Sequence, residues 1–189
     1  YGIDNYTRIK GVDGSKLPSL KSGTIDGIRF INKDTGNRNS SEIGCSLSHL
    51  KAIKYAYENN IGTVLIIEDD ANFMFMPLWD ESLPELIQKA PENWDIILLY
   101  NYQCGVDNKK TFMKYDTCYG AGAYLINRQG QEKILSRFNE NTYVFDDDFP
   151  MVADMYLYSE KLANVYYIST PLILYNGNLN STINQNDSD

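Results

Sequence analysis

Thr63-Val64-Leu65-Ile66-Ile67-Glu68-Asp69-Asp70 reads as a short apolar run that ends in three consecutive acids. The run is β-branched and does not alternate, which predicts a strand buried on both faces. Before it, Ile43, Leu47, Leu50, Ile53 and Tyr57 recur at helical spacing over 42–60. Asn59-Asn60-Ile61-Gly62 stops that helix, and Ser40 and Ser41 are its candidate N-caps. Downstream the alternation repeats: a helix over 83–90 closed by Pro91, a second buried strand over 94–100, and a loop over 101–117. A strand over 119–127, a helix over 128–138 and a helix over 151–162 follow, with closing strands at 165–168 and 172–175. Upstream, residues 1–40 are polar and glycine-bearing, with 27–31 as a candidate strand. Helices alternating with buried strands predict an α/β layer fold around a largely parallel central sheet. No repeat or linker divides the chain, so 1–189 reads as one domain with a loose polar tail over 176–189.

Composition narrows the function classes. At 189 residues, 43% hydrophobic and 13% aromatic, the chain can bury a core and is neither disordered nor of low complexity. No apolar run is long enough for a membrane span. A net charge of −8 repels phosphate backbones and argues against a nucleic-acid partner. The three cysteines, Cys45, Cys104 and Cys118, form no C-x-x-C pair, so they read as reduced, packed thiols in a cytoplasmic setting rather than as a disulfide framework or zinc ribbon. The sequons at Asn5, Asn39, Asn180 and Asn186 are ordinary in so Asn-rich a chain and are not read as secretion.

The acids carry the chemistry. In open α/β sheets, ligands bind beyond the carboxyl ends of strands, where Glu68, Asp69 and Asp70 sit. Two unit charges 5 Å apart cost about 3 kcal/mol at an effective dielectric near 20. Either water on an open turn or a divalent cation offsets that repulsion, and Mn²⁺ or Mg²⁺ suits such hard oxygen ligands. There is no P-loop and no G-x-G-x-x-G turn, so no glycine-rich loop cradles phosphate. A metal held by acids without such a loop matches the needs of a nucleotide-sugar transferase. A metal-dependent phosphodiesterase is a weaker alternative, because a single histidine, His49, leaves a two-metal hydrolase short of ligands.

Gly44-Cys45-Ser46-Leu47-Ser48-His49-Leu50, followed by Leu65-Ile66-Ile67-Glu68-Asp69-Asp70-Ala71, resembles glycosyltransferase family 25, which holds lipopolysaccharide and procollagen galactosyltransferases. Val12-Asp13-Gly14, Trp94-Asp95-Ile96-Ile97, Gly120-Ala121-Gly122-Ala123-Tyr124-Leu125-Ile126, Asp154 and Ser181-Thr182-Ile183 resemble further family segments in the same order. Two departures stand out. The family opens with an "I-N-L…R" strand and turn, and this chain starts after that point, so the first strand is missing or the donor site incomplete. The Gln before the family's "S-x-I" is absent from Tyr175-Asn176-Gly177-Asn178.

The resemblance implies a GT-A-like fold and transfer of galactose or glucose from a UDP-sugar to a hydroxyl of a glycan or protein. It implies Asp70 as ligand of Mn²⁺ or Mg²⁺, Asp69 as ribose or second-layer group, and Glu68 as nucleotide contact or orienter. Asp154 is the candidate general base of an inverting transfer, set against an exposed helical Asp favoured by the helix dipole. Asp13 either lines the nucleotide pocket or makes an Asp-Gly turn. Gly122, with Gly120 and Ala121, lets a sugar approach or lets strands pack closely. His49, one turn after Cys45, either orients the acids or is a semi-buried structural histidine. Asp146-Asp147-Asp148 reads as a solvated loop before a helix. A non-catalytic module of the same fold, binding a nucleotide sugar or a partner, is the alternative function.

Overall fold

The computed structural model describes residues 5–100, 104, 105, 107, 110–116, 118–139 and 142–175. The expected tail at 176–189 lies outside the described residues. Strands β1 (Ser22–Ile25) and β2 (Ile28–Asn32) form a hairpin across Asp26-Gly27, both of positive φ at 49° and 79°. That is the backbone a two-residue hairpin turn requires, and Asp-Gly supplies it at low cost. Helix α1 (Ser40–Glu58) follows. Its cap is Asn39 rather than either serine: the Asn39 side chain accepts from Glu42 N–H at 2.8 Å, and Glu42 accepts from Asn39 N–H at 2.9 Å.

The remaining elements are β3 (Thr63–Ile67), β4 (Ala71–Asn72), α2 (Leu83–Gln88), β5 (Ile96–Leu98), β6 (Phe112–Lys114), β7 (Ala123–Asn127) and α3 (Arg128–Leu135). They continue with β8 (Phe138–Asn139), β9 (Thr142–Phe145), α4 (Ala153–Leu157), β10 (Val165–Ile168) and β11 (Leu174–Tyr175). The central sheet has five strands in the order β3-β7-β5-β10-β6. A four-stranded sheet, β1-β2-β9-β8, and a short β11-β4 pair complete the fold.

The central sheet is not largely parallel. Only β5–β10 pairs in parallel; β3–β7, β5–β7 and β6–β10 are antiparallel. The cause is β7, which inserts between β3 and β5 running against both. Hydrophobic runs report how a strand is covered, not which way it points, so the pattern left direction open. A second correction concerns β3. Its middle residues are half-buried, but Thr63 and Ile67 are exposed, and among the described residues the strand pairs with β7 alone.

The central strands show two-sided coverage. Ile96, Leu98, Tyr124, Ile126, Val165 and Tyr167 face a core shared with α1, α3 and α4. Ile97, Leu125 and Ile168 face a second core closed by Trp79, Leu83, Leu86 and Trp94. Buried Asp95, at the entrance to β5, accepts from Lys133 Nζ at 2.5 Å and from Asn164 N–H at 2.6 Å. It thus ties α3 and β10 to the sheet end opposite the acids.

The cysteines contradict the thiol expectation. Cys104 and Cys118 form a disulfide, and only Cys45 is free. The two are 14 residues apart, so a short loop brings them together. The compartment expectation drawn from reduced thiols loses that support. No helix among the described residues is long and apolar enough to cross a membrane.

Candidate functional site

The site forms where β3 ends. Glu68 N–H donates to the Gly122 carbonyl at 2.9 Å, so the acids begin directly opposite the small residues that lead into β7. Helix α1 runs beneath this corner. His49 is buried, with Nε2 2.9 Å from Glu68 Oε1 and Nδ1 3.1 Å from the Tyr124 hydroxyl. A carboxylate only accepts, so Nε2 carries a proton toward Glu68. Cys45, one turn earlier on α1, directs its thiol to the same Glu68 oxygen at 3.7 Å.

Burial pushes the Glu68 carboxyl up, but donation from His49 and Cys45 outweighs it and holds the group below its usual range. The same burial, reinforced by the Glu68 charge, pushes the Cys45 thiol well up. Asp70 behaves oppositely to Glu68. Burial first, then the neighbouring Glu68 and Asp69 charges, raise its carboxyl. The charge of Asp70 is thus poorly offset by the protein, whereas that of Glu68 is well offset. Asp69 is exposed.

Asp154, in the first turn of α4, reaches the corner from the other side. Its Oδ2 accepts from Gly120 N–H at 2.9 Å, and its Oδ1 from Met155 N–H at 2.8 Å. Gly120 has φ +88°, and a Cβ there would lie 2.6 Å from the Tyr100 ring. The buried Tyr158 hydroxyl donates to the Gly120 carbonyl at 3.2 Å, fixing that peptide from behind. The charges of Asp154 and Asp70 both add to the upward push on the Cys45 thiol.

Other expected residues fall elsewhere. Asp13 does not join the corner through any described contact. Its side chain caps the turn Gly14–Lys16, accepting from Ser15 N–H at 3.1 Å and pairing with Lys16 at 3.0 Å. The value of Val12-Asp13-Gly14 is in packing: Val12 N–H donates to Ser48 Oγ at 2.8 Å, and a Cβ on Gly44 would lie 2.8 Å from the Val12 carbonyl. The two motifs are thus interlocked backbones. The run Asp146-Asp147-Asp148 precedes α4 with Asp147 and Asp148 exposed, as expected of a solvated loop, and it also serves as a junction. Asp146 pairs with Arg137 at 2.5 Å, Asp147 accepts from Thr35 N–H at 2.7 Å, and Asp148 pairs with Lys161.

Sequence reasoning missed Tyr124, Tyr158 and Tyr100. Tyr124 sits at the first inward position of β7, and its alternation with Ala123 and Leu125 was the available signal.

The chain has relatives among known proteins. The sequence model of a family described as Glycosyltransferase family 25 (LPS biosynthesis protein) matches residues 4–151. The chain is also similar to procollagen galactosyltransferase 2 of Mus musculus, 25% identical over 191 residues. That alignment takes in 88% of this chain and 30% of the mouse protein, so the chain spans about a third of that relative's length.

Proposed function

We propose, from the premise that this chain belongs to glycosyltransferase family 25, that it transfers a hexose, galactose or glucose, from a UDP-sugar to a hydroxyl of a glycan or protein. The observation that carries the reading is the strand-end corner, where Asp70 keeps a poorly offset charge while Glu68 is engaged by α1. These hard oxygen donors fit Mn²⁺ or Mg²⁺, with Asp70 as ligand and Asp69 beside it. When bound, the ion offsets the diphosphate charge and makes it a better leaving group. Asp69 contacts the ribose. Gly122 presents its backbone to the sugar beside Glu68, while the Tyr100 ring packs against the Cβ side of Gly120 and Gly122. In this reading the fold is GT-A-like.

Asp154 takes the proton of the acceptor hydroxyl as its oxygen bonds to the anomeric carbon, and the carbon–phosphate oxygen bond breaks with its electron pair leaving on the diphosphate. One oxygen of Asp154 is held by Gly120 N–H, which orients the carboxylate. That same bond favours the second reading, a nucleotide-sugar-binding module without turnover, in which Asp154 only braces the loop before β7.

The test is a donor screen by UDP release with Mn²⁺. UDP-galactose or UDP-glucose turnover, abolished in Asp70→Ala with the fold retained by circular dichroism, is the expected result. Asp154→Asn should keep UDP binding and lose transfer by orders of magnitude. Unchanged turnover in Asp154→Asn removes that residue from the chemistry, and UDP binding without turnover in the wild type selects the module.

A further inference from the structure

The cluster beneath the acid corner has a chemistry that sugar transfer does not use. Cys45 Sγ, His49 Nε2 and a Glu68 carboxylate oxygen all lie within 4.8 Å of one another. Two come from α1 at i and i+4, which places them on one helix face, and the third comes from the end of β3. We infer that Cys45, His49 and Glu68 form a binding site for a thiophilic divalent cation of the Zn²⁺ type, separate from the hard-ion position at Asp70.

Three features of the geometry support it. Zinc bonds of about 2.0–2.3 Å at tetrahedral angles put ligand atoms about 3.3–3.7 Å apart. The observed separations of 2.9 Å for His49–Glu68 and 3.7 Å for Cys45–Glu68 bracket that range. The third pair, Cys45–His49, falls within the cluster's 4.8 Å span, so entry of the ion needs the histidine and the carboxylate to spread and the thiol and the ring to draw together. The charge count closes as well: a thiolate, a carboxylate and a neutral imidazole around Zn²⁺ sum to zero, the condition under which an ion is tolerated in a largely buried pocket. Finally, His49 is fixed from behind. With the metal on Nε2 the ring proton moves to Nδ1, and the buried Tyr124 hydroxyl at 3.1 Å turns to accept it, as partners of metal-bound histidines do.

Without metal, the same three groups are held by two donations that converge on one oxygen, S–H and Nε2–H to Glu68 Oε1. The ion replaces both: the thiol proton leaves to solvent, and the imidazole keeps its one proton, now on Nδ1. Three protein ligands leave a fourth position for water.

The test uses the tag-free chain and Co²⁺ as a spectroscopic stand-in for Zn²⁺. The expected result is a thiolate-to-cobalt charge-transfer band with intense tetrahedral ligand-field bands at one equivalent. Zn²⁺ should erase them, excess Mg²⁺ should not, and Asp70→Ala should retain them. Cys45→Ser should lose the charge-transfer band. Because that variant disturbs a packed position, Zn²⁺ protection of Cys45 from alkylation, read by mass spectrometry in the wild type, gives a second measure. A weak octahedral cobalt spectrum, a band that survives Cys45→Ser, or alkylation unchanged by Zn²⁺ would overturn the site. None of these outcomes depends on whether the chain transfers sugar.

Discussion

Gly120 shows how much a single residue decides. Its φ of +88° is open to glycine and costly for other residues, and the Tyr100 ring occupies the space a methyl group would need. Gly120→Ala should lower stability by at least about 2 kcal/mol, from backbone strain together with the clash. Gly122→Ala is the control, because its Cβ would meet Tyr100 at an ordinary 3.5 Å. Urea unfolding of the two variants checks this, and equal stability of Gly120→Ala and wild type would contradict it. At this scale the sequence was informative about residue types and poor about partners. The three acids after Ile67 announce a charged strand end, and His49 one turn after Cys45 announces a shared face. That Glu68 turns inward to both, while the charge of Asp70 is poorly offset, depends on tertiary packing that no local pattern records.

Among elements, helices and buried strands were readable because their apolar periods are long and regular. α1 was expected over 42–60 and runs Ser40–Glu58; β3 and β10 coincide with their expected spans. Strand direction and the second sheet were not readable. The β1–β2 hairpin had a local signal in Asp26-Gly27, whereas β8 is two residues long and carries almost none. The helix expected over 151–162 ends at Leu157, and the chain continues in turns, with Leu162 N–H donating to Ser159 O at 2.9 Å.

The Cys104–Cys118 link is the element-scale constraint that sequence spacing failed to announce. It ties the approach to β6 to the residue two before Gly120. Closing a loop of that length restricts the unfolded chain by about 3 kcal/mol. Reduction should therefore lower stability by roughly that amount, read as a shift in urea midpoint with and without dithiothreitol. An unchanged midpoint, with reduction verified by mass, would remove the constraint from the stability account.

Across the whole molecule, Asp34 connects parts that are far apart in the chain. It is buried just after β2 and accepts from Gly36 N–H at 2.8 Å, Arg38 Nε at 2.6 Å and Met151 N–H at 3.1 Å, so one carboxylate fastens the smaller sheet to the approach of α4. Burial pushes its carboxyl up, but these donors outweigh burial and hold it below the usual range. A depressed folded value means the contribution is complete above the unfolded carboxylate pKa, about 3.9. It is lost as pH falls through the folded value. Asp34→Asn should cost about 1–3 kcal/mol at neutral pH. The gap to wild type should narrow in acid below about pH 4, where the wild-type carboxylate is itself being protonated. Parallel stability curves from pH 7 to pH 2 would refute that linkage.

The buried phenols between the acid corner and α4 have a further consequence. Tyr124 and Tyr158 meet edge to face, with centroids 6.3 Å apart; one holds His49, which holds Glu68, and the other holds Gly120, which holds Asp154. Two incompressible rings thus act as a gauge block, and the spacing between the Glu68 and Asp154 carboxylates is inherited from core packing instead of from loop conformation. A family member with smaller side chains at these two positions would hold those two carboxylates closer together even if every acid were identical.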